Sequence, residues 1–200
     1  MPPSNADRAV LDAARVVLRR DPRPTMASIA AEAGMGVAGL YRRYTDKQTL
    51  LLAVAADNLR RYIAIGEAAL SDTDDSWAAL SAFLTHIVDE GIPQLAPRLA
   101  ALVRPDDTLR SLTRQADLLT ERLARMARGS GILRTDLTRA DLTLLVELLG
   151  TLEVGDGARS AQLRRRYLAL LLDALRVDVA THRLPGPAPS DEELARRFET

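Results

Sequence analysis

The stretch TMASIAAEAGMGVAGLYRRYTDKQTLL, residues 25–51, constrains this chain more than any other. Thr25 suits a helix N-cap, where its hydroxyl accepts from an otherwise unpaired amide of the first turn. Met26, Ile29, Ala30 and Ala33 follow at i, i+3, i+4 and i+7, one apolar stripe along two turns. Gly34 stands where a residue of positive φ stops a helix and turns the backbone. A second short helix starts near Gly36 or Val37 and buries Leu40 and part of Tyr44. Thr45, with Gln48 three residues on, is expected to cap the next helix. Two short helices joined by a tight glycine-containing turn make a helix-turn-helix, whose second helix fits the major groove of DNA.

The order of residues goes further. Thr25, Ile29-Ala30, Ala33-Gly34, Leu40-Tyr41-Arg42-Arg43-Tyr44, Asp46-Lys47 and Leu50-Leu51 together resemble the DNA-binding domain of the TetR family of one-component repressors. The resemblance runs continuously over about the first fifty residues. It implies a double-stranded DNA operator, with Thr25, Ser28, Tyr41 and Lys47 at phosphate-contacting positions. Lys47 also falls in the first turn of its helix, where a cation opposes the helix dipole, so it reads better as a phosphate contact than as a stabiliser.

Helix-turn-helix geometry puts the start of the second helix against base edges while flanking groups clamp phosphates. Here that start is Gly36, Val37, Ala38 and Gly39, followed by Tyr41, Arg42 and Arg43. The family often carries Ser, Lys, Thr or Gln in these first positions, and this chain departs from it with four small, apolar residues. Such residues offer van der Waals contact to thymine methyls and close backbone approach. Hydrogen-bonded readout then rests on Arg42 or Arg43, since Arg to guanine is the commonest specific contact. Each arginine has the alternative of a phosphate or of solvent.

A net charge of zero, from 27 basic and 27 acidic side chains, argues on its face against a nucleic-acid partner. The distribution answers part of that objection. Residues 1–50 hold eight Lys or Arg against five acids, a net +3, and the rest of the chain balances it at −3. The head therefore has the sign that DNA requires. Cysteine is absent, which removes disulfides, thiolate metal sites and a cysteine nucleophile. No apolar run reaches about 18 residues, and MPPSNADRAV lacks an apolar signal core, so a cytoplasmic protein without membrane contact is expected.

Taken in order, the chain reads as all-α, about nine helices and a short terminal one. The first spans about residues 5–19 and is stopped by Asp21-Pro22-Arg23-Pro24. The fourth starts after Thr45 and runs toward Gly66, long enough to join a DNA-reading head to a separate body. Later helices are expected over about 76–90, 93–103, 105–128, 138–152 and 161–180. Leu184-Pro-Gly-Pro-Ala-Pro189 is a semi-extended spacer, after which Ser190 and Glu193 cap the last turn. This layout resembles the whole TetR architecture. It divides into a head at 1–48, an effector-binding and dimerisation body at 49–183, and a Pro-rich tail at 184–200. The resemblance also implies a homodimer through the eighth and ninth helices and an unidentified small-molecule effector.

The body has candidates for an effector cavity and no signature. Phe83, Ile87, Leu119 and Leu123, with His86 on the edge of their helix, would suit an apolar or amphipathic molecule. The same side chains read equally as plain core, and His86 as a core-edge residue. Trp77 packs against the fourth helix or the head, and Glu147 faces solvent. Catalysis is not expected. His86 and His182 are far apart in the chain, no metal-binding His spacing or phosphate loop is present, and the acidic pairs fall at helix starts. No cofactor or metal is implied.

Overall fold

The computed structural model describes residues 5–180 and 182–196. These residues form ten α-helices, a 3₁₀ turn at Val177–Val179 and no strand, the all-α class that the periodicities predict. In order the helices are α1 (Asn5–Arg20), α2 (Met26–Glu32), α3 (Val37–Arg43), α4 (Lys47–Ser71), α5 (Ser76–Asp89), α6 (Ile92–Leu102), α7 (Asp107–Gly129), α8 (Arg139–Gly150), α9 (Gly157–Ala174) and α10 (Asp191–Arg196). The last four residues of the expected tail lie outside the described residues.

Two compact units emerge from the packing. The first extends to Arg60 and takes in Leu95–Leu112; the second holds Arg61–Gln94 and everything from Thr113. The chain thus passes between them within α4, α6 and α7.

In the first unit, Val10, Ala14 and Leu18 of α1 meet Ile29, Leu40, Leu50 and Val54 in one buried cluster. Each large aliphatic side chain so buried contributes roughly 1.5–3 kcal/mol. Leu95 and Leu99 of α6, and Val103 just after it, belong to the same cluster. Arg98 adds a polar tie, donating through Nη1 to the Leu18 and Arg19 carbonyls at 2.6 and 2.5 Å. Those carbonyls end α1 and have no partner inside the helix, so a cation there also meets the negative end of the dipole. Arg15, 5% exposed, joins α1 to α4 through Asp57 and donates to Asp12 at 2.5 Å.

The second unit closes around Leu80, Phe83, Leu84 and Ile87 of α5, Leu123 of α7, and Leu142 and Leu149 of α8. Its helices differ from the expected ones in three places, each for a tertiary reason. Helix α4 runs straight through Gly66 to Ser71. The glycine serves close approach: a Cβ there would lie 2.5 Å from Leu119 Cδ2 and 3.2 Å from Phe83 Cε2. Helix α9 starts earlier than expected because the Asp156 carboxylate accepts from the Arg159 amide at 2.7 Å. It also ends earlier. The Leu175 carbonyl accepts from Arg134 N–H at 3.0 Å and Val177 N–H donates to the Ile132 carbonyl at 2.8 Å, so backbone groups that would continue the helix are used elsewhere.

At the tail, Arg134 makes a two-pronged contact with Asp136 at 3.0 Å, and Leu184 N–H donates to the same carboxylate at 2.8 Å. Arg134 first, then the Leu184 amide, hold the Asp136 carboxyl far below the usual carboxylate range. Because the folded value is depressed, this pin is complete above the ordinary Asp range and is lost only as pH falls through the lowered value. Asp136→Asn should therefore loosen the tail at neutral pH, read as faster protease cleavage after Arg183 with an unchanged melting temperature. Cleavage at the wild-type rate would contradict the pin.

Candidate nucleic-acid interface

The Thr25 cap forms with φ −112° and ψ 158°, and its hydroxyl accepts from Ser28 N–H at 3.0 Å. Ser28 answers by accepting from Thr25 N–H at 3.0 Å, closing a capping box. Both hydroxyl protons stay within the box, Thr25 Oγ1 donating to Ser28 Oγ and Ser28 Oγ to the Thr25 carbonyl. A phosphate approaching either residue therefore competes with the cap.

Gly34, at φ +65°, ends α2, and Met35 N–H reaches back to the Ala30 carbonyl at 3.0 Å. Three residues later α3 begins, with Gly36 as its N-cap and no side-chain cap. Leu40 is fully buried and anchors α3 on the core. The opposite face is open: Ala38 and Arg42 are exposed, Val37 is 40% exposed and Tyr41 48%. Positions 37, 38, 41 and 42 lie one turn apart in pairs, so they form one patch.

Arg42 and Arg43 part company. Arg43, three residues after Leu40, turns back toward α1 and donates from Nη1 to Asp7 Oδ1 at 2.8 Å. Arg42 has no hydrogen-bond or ion-pair partner among the described residues, and its Nη2 lies beside Gly39. Tyr44 is buried behind them; burial, then Asp7, pushes its hydroxyl above its ordinary value. Asp7 is 36 residues from Arg43 in sequence, and no local pattern pointed to it.

The expected Thr45–Gln48 box does not form. Asp46 caps α4 instead, its carboxylate accepting from Thr49 N–H at 2.7 Å, which holds its pKa below the ordinary range. Aspartate outcompetes threonine here because a charged acceptor makes the stronger bond and also suits the helix N-terminus. Gln48 is released to donate to the Arg104 carbonyl at 3.1 Å. Lys47 is the first residue of α4 and is half-exposed.

In the second unit the effector candidates separate. Phe83, Ile87 and Leu123 are wholly buried and Leu119 is 9% exposed, all in one cluster. His86 points away from that cluster, into a surface groove with Arg61, Ala64, Ile65, Asp89 and Glu90. A polar neighbour of that cluster is the half-buried Tyr62, which the apolar periodicity of its helix marks only as a packing residue. Its hydroxyl meets Thr120 Oγ1 at 2.6 Å, its ring meets Phe83 edge-on at 4.9 Å, and burial pushes its pKa up to about 12. Trp77 packs against the same unit's core, a cluster that includes Ala69 of α4, with the Arg176 guanidinium 5.8 Å above its ring. Glu147 is half-buried rather than open to solvent. Among the described residues there is no cluster of metal-ligating side chains, and no helix is long and apolar enough to cross a membrane.

A glycine-turned helix pair with an open second helix is the arrangement of the helix-turn-helix class. The comparisons agree. The sequence profile described as "Bacterial regulatory proteins, tetR family" matches residues 10–54. The HTH-type transcriptional repressor LfrR of Mycolicibacterium smegmatis is 34% identical over 82 residues, 41% of this chain and 41% of that protein's own length. Two solved structures resemble the fold over most of the chain. A TetR transcriptional regulator from Streptomyces coelicolor has TM-score 0.60 at 22% identity, covering 85% of this chain and 98% of that one. The ketosteroid transcriptional regulator KstR2 of Mycobacterium tuberculosis has TM-score 0.65 at 16% identity, covering 88% and 97%. Over residues 10–54 the chain is thus similar to bacterial regulatory proteins of the tetR family, over most of its length it shares the fold of two such regulators, and it spans about two fifths of the length of the curated repressor it matches.

Proposed function

We propose that this chain is a homodimeric, effector-responsive repressor that binds a palindromic operator in the cytoplasm and leaves it when a small apolar or amphipathic molecule enters its body. The observation that carries the reading is the open face of α3, Val37, Ala38, Tyr41 and Arg42, on a helix pair matched by the family profile. The repressor sense follows LfrR, which is named a repressor. In this reading Thr25, Ser28, Tyr41 and Lys47 contact phosphates, while Gly36, Val37, Ala38 and Arg42 face the groove, with Arg43 beside them at the end of the reading helix. A dimer presents two reading helices about 34–36 Å apart, one turn of DNA. The domain division follows the same reading: a head at 1–48, a body at 49–183 and a tail at 184–200.

For the effector, Phe83, Ile87, Leu119 and Leu123 would have to part around the ligand. Ligand binding there would favour a body conformation in which the two heads no longer match their half-sites, and linkage then lowers DNA affinity. Helix α4, 25 residues and roughly 37 Å long, is continuous between the two units and is the natural carrier.

Gel shift with duplex DNA from upstream of the gene tests the reading. Arg42→Ala should cost about 1–3 kcal/mol of operator binding, confined to sites bearing the contacted base. Lys47→Ala should weaken all sequences alike and flatten the salt dependence by about one unit per head. If both variants bind like wild type, the interface lies elsewhere.

A further inference from the structure

Arg42 and Arg43 are adjacent on α3, and adjacent helical residues do not share a face. Here the fold gives them different surroundings. On α3 the exposed patch is 37, 38, 41 and 42, and the buried anchor is Leu40. Arg43 lies one turn after Leu40, on the flank that faces α1, and its Nη1 is 2.8 Å from Asp7 Oδ1. Arg42 lies one turn after Ala38, on the open patch, and has no partner among the described residues. Four small or apolar residues precede them, so no other strong donor is available at the start of the helix.

Resting on the regulator reading above, we infer that Arg42 alone makes the hydrogen-bonded base contact, while Arg43, tied to Asp7, is a positioning residue that fixes the reading helix against α1. The Asp7–Arg43 pair is then a specificity determinant that never touches a base. It acts in two ways. It holds the angle at which α3 enters the groove, and it neutralises a cation that would otherwise seek phosphate on any sequence. Removing a sequence-independent contact raises discrimination, because non-specific binding is almost wholly electrostatic. The operator this predicts is sparse. Each half-site carries one strongly preferred G·C pair, read by Arg42, beside weakly preferred T positions that suit the methyl groups of Val37 and Ala38.

The experiment is selection of random-sequence duplex DNA by the full-length protein, repeated with Arg42→Ala, Arg43→Ala, Asp7→Asn and Asp7→Glu, followed by salt titration on the selected duplex. Wild type should enrich an inverted repeat with one dominant guanine per half-site. Arg42→Ala should lose that guanine, about tenfold or more in discrimination. Arg43→Ala should keep the motif and bind it more weakly. Asp7→Asn should bind unrelated DNA more tightly and steepen the salt dependence by about one unit per head, as a freed arginine finds a phosphate. Asp7→Glu should restore wild-type behaviour, which a purely structural fault at the N-terminus of α1 would not require. Loss under Arg43→Ala of a base preference that Arg42→Ala leaves intact overturns the division of roles. So does an Asp7→Asn variant with unchanged motif and salt dependence. Enrichment of no sequence by wild type instead overturns the regulator reading itself.

Discussion

Gly150→Ala is expected to lower the melting temperature of the protein by roughly 5–10 °C, from a clash costing about 3 kcal/mol. Gly150 closes α8, and a Cβ there would lie 2.8 Å from both the carbonyl carbon and oxygen of Pro93 and 3.0 Å from Gln94 N. These are backbone atoms, so no side-chain rotation relieves the contact. The approach is made possible from the other side by Pro97, inside α6, which has no amide to give the Pro93 carbonyl. The same junction is braced by Arg164 of α9, only 8% exposed, which donates to the Leu152 carbonyl at 2.8 Å. With its amide oxygen turned toward the guanidinium, Gln94 accepts from Arg164 Nε and Nη2 at 3.2 Å each. Alanine is otherwise the better helix former by about 1 kcal/mol, so the sign of the result decides between propensity and packing. Gly129→Ala provides the contrast: it also ends a helix, and a Cβ there meets nothing within 4 Å. A circular-dichroism melt in which both variants match or exceed wild type would refute the backbone contact.

Much of the head was legible because its information is local. Thr25 as cap, Gly34 at positive φ and Leu40 as anchor each follow from a few neighbouring residues, and each is found. The failures share the opposite property. Thr45 lost the α4 cap to Asp46 one residue on, a competition that spacing alone does not decide. Gly66 read as a stop because glycine often ends helices, yet here its missing side chain admits Leu119 from 53 residues away. Likewise α9 ends where Ile132 and Arg134 take its backbone groups, and periodicity carries no trace of that. In the interface the patch on α3 was readable, whereas the different fates of Arg42 and Arg43 depended on Asp7, which only the folded chain brings near. Among the effector candidates, apolar periodicity grouped Phe83, Ile87, Leu119 and Leu123. It could not tell that His86, one residue before Ile87, faces outward, since a residue on the boundary of a stripe turns either way.

The second large effect concerns assembly. In the proposed dimer α8 and α9 of each subunit pair with those of the partner, and such interfaces are apolar and extensive. Leu148 of α8 is 67% exposed, and Leu170 and Tyr167 of α9 are 57% and 43% exposed. Leu175, by contrast, is 6% exposed within its own subunit's core. A charge at Leu175 should therefore unfold the body, and it does not test association. Leu148→Glu combined with Leu170→Glu should instead leave the helical content and the melting cooperativity of each subunit in place, because both side chains already face away from the core. Sedimentation should find monomers. Operator affinity should fall by about 10²-fold or more, since the second head would no longer be delivered at the high effective concentration that its tether to the first provides. Half-site binding by the monomer should persist at low salt, carried by one copy of the α3 patch. A folded double variant that still sediments as a dimer would move the interface away from these two helices, and one that is monomeric yet binds the full operator as tightly as wild type would remove dimerisation from the mechanism.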